Sequence, residues 1–182
     1  MADAYVQACT ELGDEVIVRD LYRIGFDPCL KASELPFERS AAPAPDVVAE
    51  RDLLNDCMVF AFFYPLWLNA PPAMTKGYLE RVFGFGFAYG AEGRSYNPLL
   101  SGRRLISFSS SGAPNDWLEQ TGNLAAVRTL YDQYFAKLCG MTVLDHVHAG
   151  NVTPGASPYF IQARLDEVRK IVNRHFGRQT CH

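Results

Sequence analysis

The chain has 182 residues, with 48% hydrophobic and 20% charged residues and a net charge of −3. That length allows one domain with a sizeable core, and the composition excludes a disordered chain. The basic residues are scattered rather than clustered, which argues against a nucleic-acid groove.

Taken in order, Ala2 to Leu12 reads as a helix that Gly13 ends. Met1 leads straight into "ADAYVQACTEL", and no secretory leader is predicted. "EVIVRDL" is predicted as a short β-branched strand, followed by a loop, "YRIGFDPCLKASELPF". After the Pro/Ala linker "AAPAPD", Asp46 is read as the cap of a helix running to about Asn55, with Val47, Val48, Leu53 and Leu54 on its apolar side.

"CMVFAFFY" is a near-continuous apolar run, which implies a strand covered on both faces. The apolar stretch Met58 to Tyr64 is strand-sized, far short of a membrane span. Pro72 is placed in the first turn of the next helix, "AMTKGYLERVF", and "GFGFAYGAEGRSYNPLLSG" is predicted as a long loop. "RRLISFS" is a second buried strand that leads into "SSGAPNDWLEQTGN". Leu124 to Cys139 is helical and ends at Gly140, "TVLDHVHAG" is a strand, and Ser157 to Phe176 is an amphipathic helix.

Strands thus alternate with helices, which implies α/β architecture: a parallel sheet with helices on both faces, in a single domain over 1–182. Ligands of such sheets bind outside the carboxyl ends of the strands. Two loops leave buried strands there, "YPLWLNAPPA" and "SSSGAPND". In the first, Leu66, Trp67 and Leu68 offer an apolar surface held by prolines, either for an aromatic cofactor ring or as a plug for the core or a subunit interface. In the second, Ser109, Ser110, Ser111 and Gly112 offer hydroxyls and backbone N–H groups for carbonyl or phosphate oxygens, or simply a hydrated turn.

His146 and His148 alternate on a predicted strand and share a face, with Asp145 pointing the other way. Two imidazoles can begin a metal site, but no third ligand has matching spacing, so no metal is predicted and the pair is read as partly buried near a strand end. His175 and His182 have no evident partner. Cys9, Cys29, Cys57, Cys139 and Cys181 are odd in number and lack CxxC spacing, which suits reduced thiols in the cytoplasm. No phosphate loop, GxSxG elbow, HExxH or GxGxxG fingerprint occurs, and no serine stands out as the nucleophile of a triad.

The middle of the chain resembles the NAD(P)H:quinone oxidoreductases, which are flavodoxin-like flavoproteins. The resemblance rests on Pro65-Leu66-Trp67, Pro72-Ala73, Lys76-Gly77-Tyr78 and Glu80-Arg81-Val82-Phe83, followed by "GFAYG". "DLYRIGFDPCL" is similar to that family's exit from strand 2, and "ISFSSSGAP" to its glycine loop after strand 4.

The resemblance implies a flavin, FAD or FMN, whose ring lies across Pro65, Leu66, Trp67, Leu68 and Asn69. Ser109, Ser110, Ser111 and Gly112 would bond its pyrimidine edge. It implies a homodimer with its site at the subunit interface, NAD(P)H as co-substrate, and a quinone-like acceptor reduced by a ping-pong mechanism. Where that family has a tyrosine and a histidine that stabilise the reduced ring, this chain has Trp117 and Asn123, the implied catalytic positions. The family's first strand and phosphate-binding loop have no counterpart, which predicts weak or absent flavin binding. Three arrangements of the sheet are then open: a start further upstream, "EVIVRDL" moving across to pair with "CMVFAFFY", or an edge from another subunit. A non-enzymatic flavodoxin-like dimer that has lost flavin binding is the alternative function.

Overall fold

A computed structural model describes residues 1–35, 42–92 and 95–177; Cys181 and His182 lie outside them. Three parallel strands form the main sheet in the order β1 (Val59–Pro65), β4 (Arg104–Ser110) and β5 (Thr142–Ala149). The intervening β2 (Tyr89–Glu92) and β3 (Ser95–Pro98) pair with each other as an antiparallel hairpin. The expected long loop there is therefore partly a ribbon.

Each face of the main sheet carries its own apolar layer. Phe60, Leu105, Phe83, Phe135 and Cys139 lie on one side, with α3 (Ala73–Arg81) and α6 (Phe135–Cys139). Ile106, Phe108 and Val147 face the other, covered by α1 (Ala2–Glu11) and α7 (Pro158–Phe176). On α1 the buried residues are Ala4, Tyr5, Ala8 and Cys9, one stripe at helical spacing. Gly13 follows with φ 89°, a conformation that glycine adopts without Cβ strain. Ser157 caps α7 by accepting from the Phe160 N–H at 3.1 Å.

Several local expectations are corrected. "EVIVRDL" forms no strand and does not pair with β1, which is an edge of the described sheet. Arg19 instead reaches Glu50 on α2 (Pro45–Leu54), and Ile17 and Val18 remain exposed. A β-branched run becomes a strand only when a neighbour lies within ladder distance, about 4.8 Å. Because β1 is an edge, its middle residues are only partly covered.

On α2, Asp46 does not cap. Pro45 begins the helix and the Asp46 carboxylate binds Arg81. The buried face is Val47, Glu50 and Leu54, while Val48 and Leu53 are exposed; at about 100° per residue, positions 48 and 53 fall to either side of it. Pro72 precedes α3 as its N-cap.

The helical stretch after the second loop runs from α5 (Asn123–Val127) into α6 through a seven-residue π-helical segment, Arg128–Tyr134. The wider turn changes which residue points inward. Val127 and then Asp132 are buried, whereas α-helical spacing would have turned Tyr131 to the sheet.

Candidate active site

The register of β1 on β4 sets Pro65 beside Ser110, so the two candidate loops leave the sheet side by side. The Leu66 N–H donates to the Ser110 carbonyl at 2.7 Å and ties them together. Trp67 and Ala70 exchange backbone hydrogen bonds at 2.9 and 3.1 Å, closing a tight turn. Inside it, Leu68 and Asn69 hold φ of 51° and 58°. Asparagine tolerates the left-handed region, but leucine there costs on the order of 1 kcal/mol or more. The result is a leucine side chain fully exposed at the turn's tip. Asn69 donates to the Asn123 carbonyl at 3.1 Å, while its Oδ1 is buried without a partner.

Between these loops lies a cleft of about 350 Å³, near the lower end of ligand-site volumes. It brings together Leu66, Leu68, Asn69, Ser111, Gly112, Trp117 and Asn123 from the sequence expectation, with Ala113 and Leu118 in addition. Trp117 stands half-exposed on α4 (Asn115–Gln120), and Asn123 donates to the Thr121 hydroxyl at 2.9 Å. Pro65 and Ser110 end their strands outside the lining. Trp67 is 69% exposed and also stands outside it, so within one chain it fills no core gap. Ser109 is turned into the protein and is 1% exposed.

What Ser109 faces was not legible in the sequence. Its hydroxyl lies 2.7 Å from His146 Nε2 and 2.7 Å from His148 Nδ1. His146 Nδ1 is 2.6 Å from Asp132 Oδ2, and the Ser107 hydroxyl donates to Asp132 Oδ1 at 2.6 Å. At the other end His148 Nε2 lies 3.0 Å from the hydroxyl of Ser111, in the cleft wall. Strand pairing explains half of this chain, since Ser107 sits opposite His146 and Ser109 opposite His148. The π segment supplies Asp132. Burial, then the neighbouring His146 and Arg128, pulls His148 down to about 4, so it is neutral at pH 7. Burial likewise pushes the Tyr64 phenol up; its hydroxyl has no protein partner.

The face shared by His146 and His148 was predictable; their partners were not, because they lie on another strand and in a π turn. Ser109, His146 and Asp132 have the connectivity of a nucleophilic triad. Ser109 is nevertheless sealed from the cleft, with both sides of its hydroxyl engaged, so it has no approach to a substrate. Among the described residues no group of three or more histidines, cysteines or carboxylates is suited to a metal. Asp145 does point to the opposite face, where its carboxylate lies 3.5 Å from His175 Nε2 without forming a hydrogen bond to it.

A family model described as a flavodoxin-like fold matches residues 1–172. An uncharacterised NAD(P)H oxidoreductase of Haemophilus influenzae is 33% identical over 122 residues, covering 67% of this chain and 60% of the relative. NAD(P)H dehydrogenase [quinone] 1 of Rattus norvegicus is 28% identical over 165 residues, covering 80% of this chain and 60% of the relative. The chain thus spans about 60% of the length of these curated relatives. Among solved structures, a putative quinone reductase from Klebsiella pneumoniae superposes with a TM-score of 0.85 at 20% identity, covering 96% of this chain and 78% of that one.

Proposed function

The chain belongs to the flavodoxin-like fold family, and on that premise we propose that it is a flavin-dependent NAD(P)H:acceptor oxidoreductase that reduces quinone-like molecules. The observation that carries the proposal is the cleft where the two loops meet at the carboxyl end of the sheet. Its walls pair apolar surface from Leu66, Leu68 and Trp117 with polar groups from Asn69, Ser111 and Asn123. That combination suits a flat heteroaromatic ring with a hydrogen-bonding edge.

The residues fit the ring end of a flavin. The buried, unpartnered Asn69 Oδ1 is an acceptor waiting for a donor. Among the described residues the lining contains no lysine or arginine, so it favours the ring over a phosphate. Asn69, Ser111 and Gly112 would hold the ring edge, Leu66 and Leu68 one face, and Trp117 would stack or donate its indole N–H. Asn123 would hydrogen-bond without carrying a proton. When bound, FAD or FMN would supply the redox chemistry, hydride transfer from a nicotinamide and on to the acceptor in a ping-pong cycle. The protein orients the reactants and keeps water away.

A homodimer is part of the reading. Trp67, Leu68 and Trp117 are exposed around one cleft in a single chain, and a second copy would cover them. A cytoplasmic setting agrees with Cys9, Cys29, Cys57 and Cys139 all being free thiols. No helix among the described residues is long and apolar enough to cross a membrane.

The test is oxidation of NADH or NADPH with a benzoquinone, with FMN, FAD or no added flavin. Turnover above the free-flavin control is expected. Turnover equal to that control refutes the enzymatic reading and leaves the non-enzymatic one.

A further inference from the structure

The chain from Ser111 through His148, Ser109 and His146 to Asp132 joins the cleft wall to a buried carboxylate by four consecutive hydrogen bonds. Hydrogen-bond chemistry allows it two fully satisfied states. In the first, His146 donates from Nδ1 to Asp132, Ser109 donates to His146 Nε2, His148 donates from Nδ1 to Ser109, and Ser111 donates to His148 Nε2. In the second, the three bonds from His146 to Ser111 are reversed: the added proton lies in the Asp132–His146 bond, both imidazoles carry a proton on Nε2, and Ser111 accepts from His148.

The Ser111 proton then needs another acceptor, and the Ala113 carbonyl stands 3.2 Å from its oxygen. The two states differ by one proton, held between Asp132 and His146, and the His148 proton moves from one ring nitrogen to the other. A serine between two imidazoles has one proton to give, so the bonds on either side of it must run the same way.

We propose that this chain is a one-proton store for the cleft. It fills through Ser111 while the cleft is open to water and returns the proton through Ser111 once a bound acceptor has displaced that water. The inference rests on the oxidoreductase reading for its use. Reduction of a quinone by NAD(P)H moves one hydride and consumes one further proton, giving NAD(P)⁺ and the hydroquinone. Among the described residues the cleft lining contains no carboxylate, imidazole or lysine to supply that proton directly. Ser111 is the point where a buried proton can reach it. Four groups flank the chain: Arg128, which donates to the His146 carbonyl at 3.3 Å, Tyr64 on β1, Tyr131 beside it, and Asn115, which donates to the His148 carbonyl at 3.3 Å. Asp145, Arg174 and His175 lie on the other side of β5.

The experiment is ¹⁵N NMR of the histidine side chains in the whole chain, without flavin, from pH 8 to 5. The expected result is one joint step in which His146 gains its Nε2 proton as His148 passes from Nδ1–H to Nε2–H. S109T, which keeps the hydroxyl, retains the joint step; S109A separates the two residues. Independent titration of the histidines to imidazolium, or an unchanged joint step in S109A, overturns the store. With flavin bound, H148N should slow the acceptor half-reaction about tenfold or more, flatten its pH profile and leave reduction by the nicotinamide unchanged. Equal effects on both half-reactions, or none on either, overturn the catalytic role. An inactive wild type refutes the oxidoreductase reading, and the NMR step still decides the store.

Discussion

Replacing Arg81 by methionine should destabilise the protein by about 3–5 kcal/mol, the cost of stranding a buried charge. Arg81 is 2% exposed and closes the C-terminal end of α3 over two other segments. Its Nε donates to Glu34 at 2.9 Å, and its two terminal nitrogens reach Glu34 at 2.8 Å, Asp46 at 2.8 and 3.0 Å and the Asp27 carbonyl at 2.6 Å. Its guanidinium also lies 5.1 Å from the Phe26 ring centre. The Glu34 side chain is 5% exposed, so its stranded charge dominates the loss. That of Asp46 is 46% exposed and adds little.

The pH dependence has a definite sign. Burial pushes the Glu34 carboxyl up, but hydrogen bonds from Arg81 and from the Lys31 and Ala44 amides outweigh it and leave it below its ordinary 4.5. Hydrogen bonds from Arg81 likewise lower Asp46 from 3.8. The unfolded chain therefore binds more protons in acid, and this stability is present above about pH 4.5 and lost as pH falls below it. Urea unfolding at pH 7 and pH 4 measures both effects. R81M should lower the midpoint and lessen the acid loss, and R81M/E34M should recover much of the stability. R81M within about 1 kcal/mol of wild type would refute the argument, since no stranded buried carboxylate costs so little.

Other consequences follow from close approaches and from the cleft. A Cβ on Gly77 would stand 2.1 Å from the Pro28 carbonyl oxygen and 2.5 Å from the Pro28 Cβ, so G77A should lower the urea midpoint by displacing the loop against α3. Gly140 ends α6 with φ 80°, and a Cβ there meets Pro98 at 2.9 Å; G140A should cost about 1 kcal/mol or more in the same assay. If a second copy covers the cleft, L68E/W67E should shift the chain to monomer in light scattering while leaving its circular dichroism intact. N69A removes the unpartnered acceptor and should weaken flavin binding in a fluorescence titration several-fold, by about 1 kcal/mol. A Kd unchanged by N69A would count against the ring lying there.

Much of the architecture was legible from the chain alone. The apolar runs around Phe60 and Ile106 are strands because their sequence buries both faces, and Gly13 and Gly140 end helices because only glycine enters the left-handed region without strain. That two loops leave the carboxyl ends of neighbouring parallel strands was legible too, and the register sets them side by side. The motif Lys76-Gly77-Tyr78 with Glu80-Arg81 could be read as a signature, but the packing of Gly77 on Pro28 and the burial of Arg81 with Glu34 and Asp46 give its physical basis.

The tertiary structure alone decided whether "EVIVRDL" becomes a strand, because a strand exists only with a partner. It also decided which cleft-loop serine stays available. Ser109 and Ser111 share strand parity and both meet His148, yet the register sets Ser109 between two imidazoles within the sheet, while Ser111 lies past the end of β4 at the cleft. Asp132 lies in a stretch that reads simply as helix, and the π turn carries it inward to His146. Local sequence sets which residues prefer helix, strand or turn. Which polar groups meet in the interior depends on register and helix phase, and those are fixed only when the elements pack.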